Sequence, residues 1–138
     1  AMALAALLVT AVSAAEIGQI KVSNGQVTVE RKGESRPGSV GTRLESSDVV
    51  RTGAAGSVGI TMVDNSLLSA GPNSILSLDR FDFDPTSNQG RFDAQLQKGS
   101  LAVISGRIAK QSPEAMTVRT PSTILGVRGT EFAVAAND

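Results

Sequence analysis

Asp79, Asp82 and Asp84, followed by Asn88 and Gly90, make the one dense run of oxygen ligands in the sequence. Calcium takes oxygen ligands from a flexible loop, and the Asp-x-Asp spacing of Asp82 and Asp84 is how an EF-hand loop begins. The spacing then departs from that pattern, because no third acid alternates and no Glu closes the loop. Asp82, Asp84 and Asn88 stand as calcium candidates against a solvated hairpin shoulder, in which strand alternation puts Asp82 and Asp84 on one exposed face. The solvated shoulder is the favoured reading. The same acids are the only basis for glycosidic hydrolysis, which needs two carboxyls roughly 5–9.5 Å apart across a sugar cleft. Aromatic side chains that stack sugars are scarce, with 4 Phe, 0 Trp and 0 Tyr. The absence of His and Cys also removes the usual base of a Ser or Cys nucleophile, thiolate chemistry and the common zinc ligands. The expectation is no enzyme, no cofactor and no metal centre.

Lys plus Arg and Asp plus Glu number 13 each, so the 138-residue chain carries a formal charge of +0. The broad basic surface of a nucleic-acid binder is missing, and no nucleic-acid partner is expected. Arg128, between Val127 and Gly129, reads either as an anchor facing a partner or as a structural Arg whose planar fork satisfies backbone carbonyls. The structural role is favoured because its surroundings are turn and packing residues. Thr130 and Glu131 share that reading, and Phe132 is expected in the core. Leu101, Val103 and Ile104 could mark an exposed edge open to strand addition, with a buried strand as the favoured account.

The elements that must position these residues are short strands. Gly, Pro, Asn, Asp and Ser punctuate the chain at intervals of about ten residues, and no long helical period competes. In IKVSNGQVTV, an Asn24-Gly25 turn would place Val22 opposite Val27 and Ile20 opposite Val29 on one face. Residues 31–41 read as a charged surface loop, and Asp48-Val49-Val50-Arg51 as a strand stopped by Thr52-Gly53. Val58, Ile60 and Met62 alternate up to Asp64-Asn65, with Leu67 returning opposite Met62. Gly71-Pro72-Asn73-Ser74 turns into ILSLDRFDF, expected to be covered on both faces. RFDAQLQ and LAVIS follow as strands, a polar link from Ser105 ends at Pro113, and MTVRT resumes the pattern. The last segment, ILGVRGTEFAV, carries Gly126 and Gly129 at expected bulges or close approaches. The fold class expected is all-β, a single domain of many short strands with a twisted solenoid-like or roll-like arrangement.

Ala1–Ala15 is an apolar run that closes on small residues, the pattern of a secretory signal peptide cleaved after Ala14 or Ala15. It is shorter than the ~20 apolar residues that span a bilayer, so no permanent transmembrane anchor is expected. A core or interfacial helix and an assembly strand are the competing readings.

From about Val40 to Phe132 the residues resemble the FecR domain family. The pieces run in order: Asp48 with Arg51-Thr52-Gly53, Gly56, Asp64-Asn65-Ser66, Gly71-Pro72-Asn73-Ser74, the Asp84-Pro85 loop, Gly99, Ser105-Gly106, Thr120-Pro121, and Gly126-Val127-Arg128-Gly129-Thr130-Glu131-Phe132. Asn65 stands where the family usually has Gly. The resemblance implies an all-β domain outside the cytoplasm. In iron-responsive regulators it lies between a membrane anchor and a part that contacts an outer-membrane receptor. The reading is a stand-alone FecR-like domain over 16–138, periplasmic or on the cell surface of a bacterium. It would act there as a protein-interaction or signalling module with an unidentified protein partner. The alternative is a structural subunit that self-assembles by β-strand addition, using the N-terminal segment or a sheet edge.

Overall fold

A computed structural model describes residues 16–121, 124–126 and 131–136. The leader reading of Ala1–Ala15 and the assignments of Arg128, Gly129 and Thr130 lie outside the described residues.

Four lengths of chain run side by side, and each bends in the middle. The first is β1 (Gly18–Asn24) leading into β2 (Val27–Arg31). The second is β5 (Val49–Thr52) leading into β6 (Ser57–Met62), and the third is β7 (Leu67–Ala70) leading into β8 (Ile75–Phe83). The fourth is β9 (Gly90–Ile104), one strand of 15 residues. The first pairs antiparallel with the second through β1–β6 and β2–β5. The second pairs with the third through β6–β7 and β5–β8. The third pairs with β9 along its whole length, β8 with the first part and β7 with the last. The result is one curled sheet, creased along the line of bends, with the apolar residues of both halves inside the crease.

The Asn24-Gly25 hairpin does not form. β1 pairs with β6 and with β4 (Arg43–Leu44), whereas β2 pairs with β5 and with β3 (Glu34–Pro37). A tight I′ reversal needs φ above zero at both central residues. Gly25 has it, at 65°, but Asn24 is not among the positive-φ residues. The chain therefore turns a corner instead of reversing, and a Cβ at Gly25 would sit 2.3 Å from the Ala55 carbonyl oxygen. Ile20, Val27 and Val29 are buried as expected, but a register shift after Ile20 leaves Val22 exposed. The true reversal is at Lys32-Gly33, with φ of 52° and 80°, inside the stretch expected as a loop. It joins β2 to β3.

The β6–β7 hairpin forms one residue out of the expected register, with Thr61 opposite Leu67 and Ile60 opposite Leu68. Met62 N donates to the Ser66 carbonyl, so the loop holds Val63, Asp64 and Asn65, the last at φ 71°. A left-handed residue closing a three-residue loop is a standard hairpin solution. Its consequence is that Leu67 faces outward and Leu68 enters the core.

The link after Ser105 is not merely polar. It holds a short helix α1 (Arg107–Gln111) and a 3-10 turn (Pro113–Ala115), and buries Ile108 and Ala109. It is too short for a helical period to show. Its place in the chain explains it, because β10 (Met116–Arg119) pairs parallel with β9, and a parallel return needs a crossover. β11 (Ile124–Gly126) pairs with β10, and β12 (Glu131–Ala136) pairs with the last part of β9. Phe81 and Phe92 meet edge to face with centroids 5.1 Å apart.

Candidate functional site

The acidic run lies on the second half of β8 and the turn that follows it, where each acid has a local partner. Asp82 accepts from Arg80 Nε at 2.8 Å with both side chains exposed, and Asp79 accepts from the Ser77 hydroxyl. Asp84 accepts from the backbone N–H of Thr86 at 2.9 Å, and that bond first, then one from the Ser87 hydroxyl, holds its pKa below the usual value. Asn88 adopts φ 59° and donates its backbone N–H to the Asp84 carbonyl. Asp82, Asp84 and Asn88 thus act as a turn and a surface ion pair. Among the described residues no three acidic side chains come together as a metal site.

The motif residues meet at the crease. Thr52 Oγ1 donates to the Gly71 carbonyl at 2.6 Å and accepts from Ser74 N at 2.8 Å. Gly53 N donates to the Gln26 carbonyl, and the Gly53 carbonyl accepts from Asn73 N. Ser74 Oγ donates to the Ser100 carbonyl and accepts from Ser100 N at 3.0 Å. Pro72 is exposed on the same turn. Each corner is thereby tied to the next across the sheet. Gly99, at φ 93°, lets β9 bend there without a break in the chain of pairing, and a Cβ on it would lie 2.5 Å from Ser74 Cα.

Two buried carboxylates, Asp48 before β5 and Asp64 after β6, hold the far ends of the β5–β6 length of chain, away from the crease. Asp48 takes Arg31 Nε and Nη2 at 2.9 and 2.8 Å and also the Glu45 backbone N–H. Glu45 adds a second ion pair to Arg31 at 2.6 Å. The hydrogen bond that Arg31 donates to Asp48 is the largest cause of the raised Arg31 pKa. Removing one partner of so enclosed a pair would strand a charge, at a cost of about 3–5 kcal/mol. Asp64 accepts from Ser66 N and Oγ and from Ile108 N, while Ser66 Oγ accepts from Gly106 N. The Asp64-Asn65-Ser66 turn thus caps α1 from a distant part of the chain, a cap that no local pattern shows. Thr120 is buried, Pro121 is exposed, and Gly126 pairs with Thr117. Phe132 is half-buried against the core rather than enclosed by it.

The feature that sequence reading did not find is a contrast between the outer faces of the two halves. Outside β2, β5, β8 and the first part of β9, charges are cross-linked: Glu30 with Arg51, Arg80 with Asp82, Arg91 with Asp93. Asp93 also accepts from the Thr117 hydroxyl at 2.6 Å. Burial alone would raise its pKa, but the Thr117 and Arg91 hydrogen bonds and the charges of Arg91 and Arg80 outweigh that and lower it. Outside β1, β6, β7, the last part of β9 and β12, the surface is mostly small and uncharged, with charge at its margins on Lys21, on Arg43 beside Gln19, and on Glu131. One cross-strand row reads Gln19, Thr61, Leu67, Ile104, Glu131, and the next reads Val22, Gly59, Ser69, Ala102, Ala133. Val22, Leu67 and Ile104 are 51%, 41% and 40% exposed. Two shallow hollows of about 470 and 410 Å³ lie over Ser69, Ala102 and Ala133. Leu101 and Val103 are buried as expected, but β9 is paired on both sides, so it is not an edge. The signal for this face was available in the outward alternates Leu67, Ser69, Ala102 and Ile104, once the hairpin register was known.

Residues 48–138 match the family model described as FecR protein. This chain belongs to the FecR family. Among solved structures, one described as a cell surface anchoring domain is 35% identical, covering 44% of this chain and 82% of its own, with a TM-score of 0.43. No curated protein matches. The FecR match opens at Asp48, the partner of Arg31, and runs through β5 to β12. β1 to β4 precede it, yet they extend the FecR sheet, β1 pairing onto β6 and β2 onto β5, with β4 beside β1 and β3 beside β2. Gln26, which accepts from Gly53, brings the crease into this preceding part.

Proposed function

We propose that this FecR-family chain is a non-enzymatic protein-interaction or signalling module of the bacterial envelope, exported by residues 1–15 and docking through its uncharged sheet face. The contrast between the two outer faces carries the reading. A solvated antiparallel face is ordinarily polar, as the charged half is here, whereas an apolar exposed patch rimmed by polar residues is a mark of protein contact. The pairing of Asp79, Asp82 and Asp84 each with a neighbour supports a role without catalysis. Family membership supports the envelope location. Among the described residues no helix is long and apolar enough to cross a membrane.

The test places a photo-crosslinking residue at Ala102, on the uncharged face, and at Gln95, on the charged half, in producing cells. A discrete adduct from position 102, absent from 95 and lost when Ser69→Lys is added, is expected in the envelope fraction. Equal adducts from both positions, or none, would overturn the docking assignment. A cytoplasmic chain that still begins before Glu16 would overturn the export assignment.

A further inference from the structure

We propose that β12 is a self-pairing edge, through which two copies of the chain join antiparallel about a two-fold axis at Ala133. This rests on the reading of the uncharged half as the contact side of the molecule, and it names a partner and a register.

The edges of the sheet are not alike. β3 is exposed throughout and carries Glu34, Arg36 and Pro37, the charges and proline that discourage pairing. β4 has 2 residues and β11 has 3, too short to template a strand. β12 has 6 residues, EFAVAA, with no Lys, Arg, Pro or Gly, and pairs only with β9 among the described residues. An unguarded edge of this kind, apolar but for Glu131, is a template for another chain.

The strand is complementary to itself. A two-fold axis normal to the sheet keeps inner faces inward and outer faces outward. Centred on Ala133, it sets Ala133 opposite its own copy and Glu131 opposite the partner's Ala135. Inside, Phe132 lies opposite the partner's Val134, an aromatic against a β-branched residue, which is a favourable cross-strand pair. Phe132 is the side chain left half-buried at this rim, and the partner would cover it. The only charge on the strand, Glu131, avoids its copy, and the formal charge of +0 sets no net repulsion between chains. One strand on each side buries less than the roughly 1,200 Å² of a stable interface, so the dimer is concentration-dependent. Pairing would also make the uncharged faces of two copies continuous.

The chain has 0 Cys, so one introduced thiol is a clean probe. Residues opposite each other in antiparallel strands have Cα atoms about 4.5–5.5 Å apart, within disulfide reach. Ala133→Cys in the purified chain is expected to oxidise to a covalent dimer, while Ala102→Cys, one strand inward on the same face, stays monomeric. Sedimentation of the unsubstituted chain should show a monomer–dimer equilibrium. Ala133→Lys and Ala133→Glu should each sediment as monomers with unchanged melting, and their mixture should regain the dimer. Preferential cross-linking at Ala102 would overturn the proposal in favour of face-to-face stacking. A dimer that requires residues 1–15 would overturn it by moving the pairing to the N-terminal segment. A strictly monomeric chain without cross-linking at Ala133 would also overturn it, while leaving the cellular adduct at Ala102, and with it the proposed function, standing.

Discussion

Asp93 shows how a single carboxylate in the charged half responds to its surroundings. Its pKa lies below the ordinary 3.8 even though burial opposes this, because Thr117 and Arg91 donate to the ionised form. A lowered native pKa contributes stability that is fully present above the unfolded value and is lost as pH falls through the native one. Melting temperature should therefore fall more steeply with acid below about pH 4 in the unsubstituted chain than in Asp93→Asn. Parallel acid limbs would show that the Thr117 bond adds nothing to stability. Such pairings were only half legible in the sequence. Asp48 stood out as a motif residue, but its partner Arg31 lay in a stretch read as loop. A bidentate ion pair between residues so far apart in the chain leaves no local signature.

At the scale of elements, the corners matter more than the strands. Alternation identified the buried faces of β2, β6 and the first part of β9, because a half-buried strand must alternate. It did not decide which strand pairs with which. Asn24-Gly25 and Lys32-Gly33 illustrate the reason: both dipeptides can reverse a chain, and the choice rests on whether the first residue enters the left-handed region. Neighbouring strands settle that, not the dipeptide. Corner chemistry can be tested at Thr52, whose hydroxyl is both donor and acceptor there. Thr52→Val should leave Ser74 N without its partner and cost about 1–3 kcal/mol in urea unfolding, whereas Thr52→Ser should keep most of that stability. If Val and Ser variants unfold alike, the crease is held by packing alone.

For the molecule as a whole, association depends on which sheet edges are guarded. An all-β fold made of short strands was legible from turn spacing. The uncharged face was not, because it depends on a one-residue register that places Leu67 outside. With β3 guarded and β12 unpaired on its outer side among the described residues, the proposed pairing closes at two copies, since a two-fold contact uses the same edge on both. Removing the guard should convert that closure into chain growth. Glu34→Val with Arg36→Val is expected to give scattering that rises with concentration far beyond a dimer, and a variant that sediments like the unsubstituted chain would show that Pro37 protects the edge unaided.

The crease also carries a consequence for the order of assembly. Each corner bonds to the corner of an adjacent length of chain, from Gln26 to Gly53, from Gly53 to Asn73, and from Ser74 to Ser100. No corner waits for a partner later than the next length of strand. A chain emerging with its N-terminus first can therefore lay the crease down stepwise, as a zipper closing in the direction of travel. β12 follows every other described strand, so the edge that would meet a second copy is created only after those strands have been laid down.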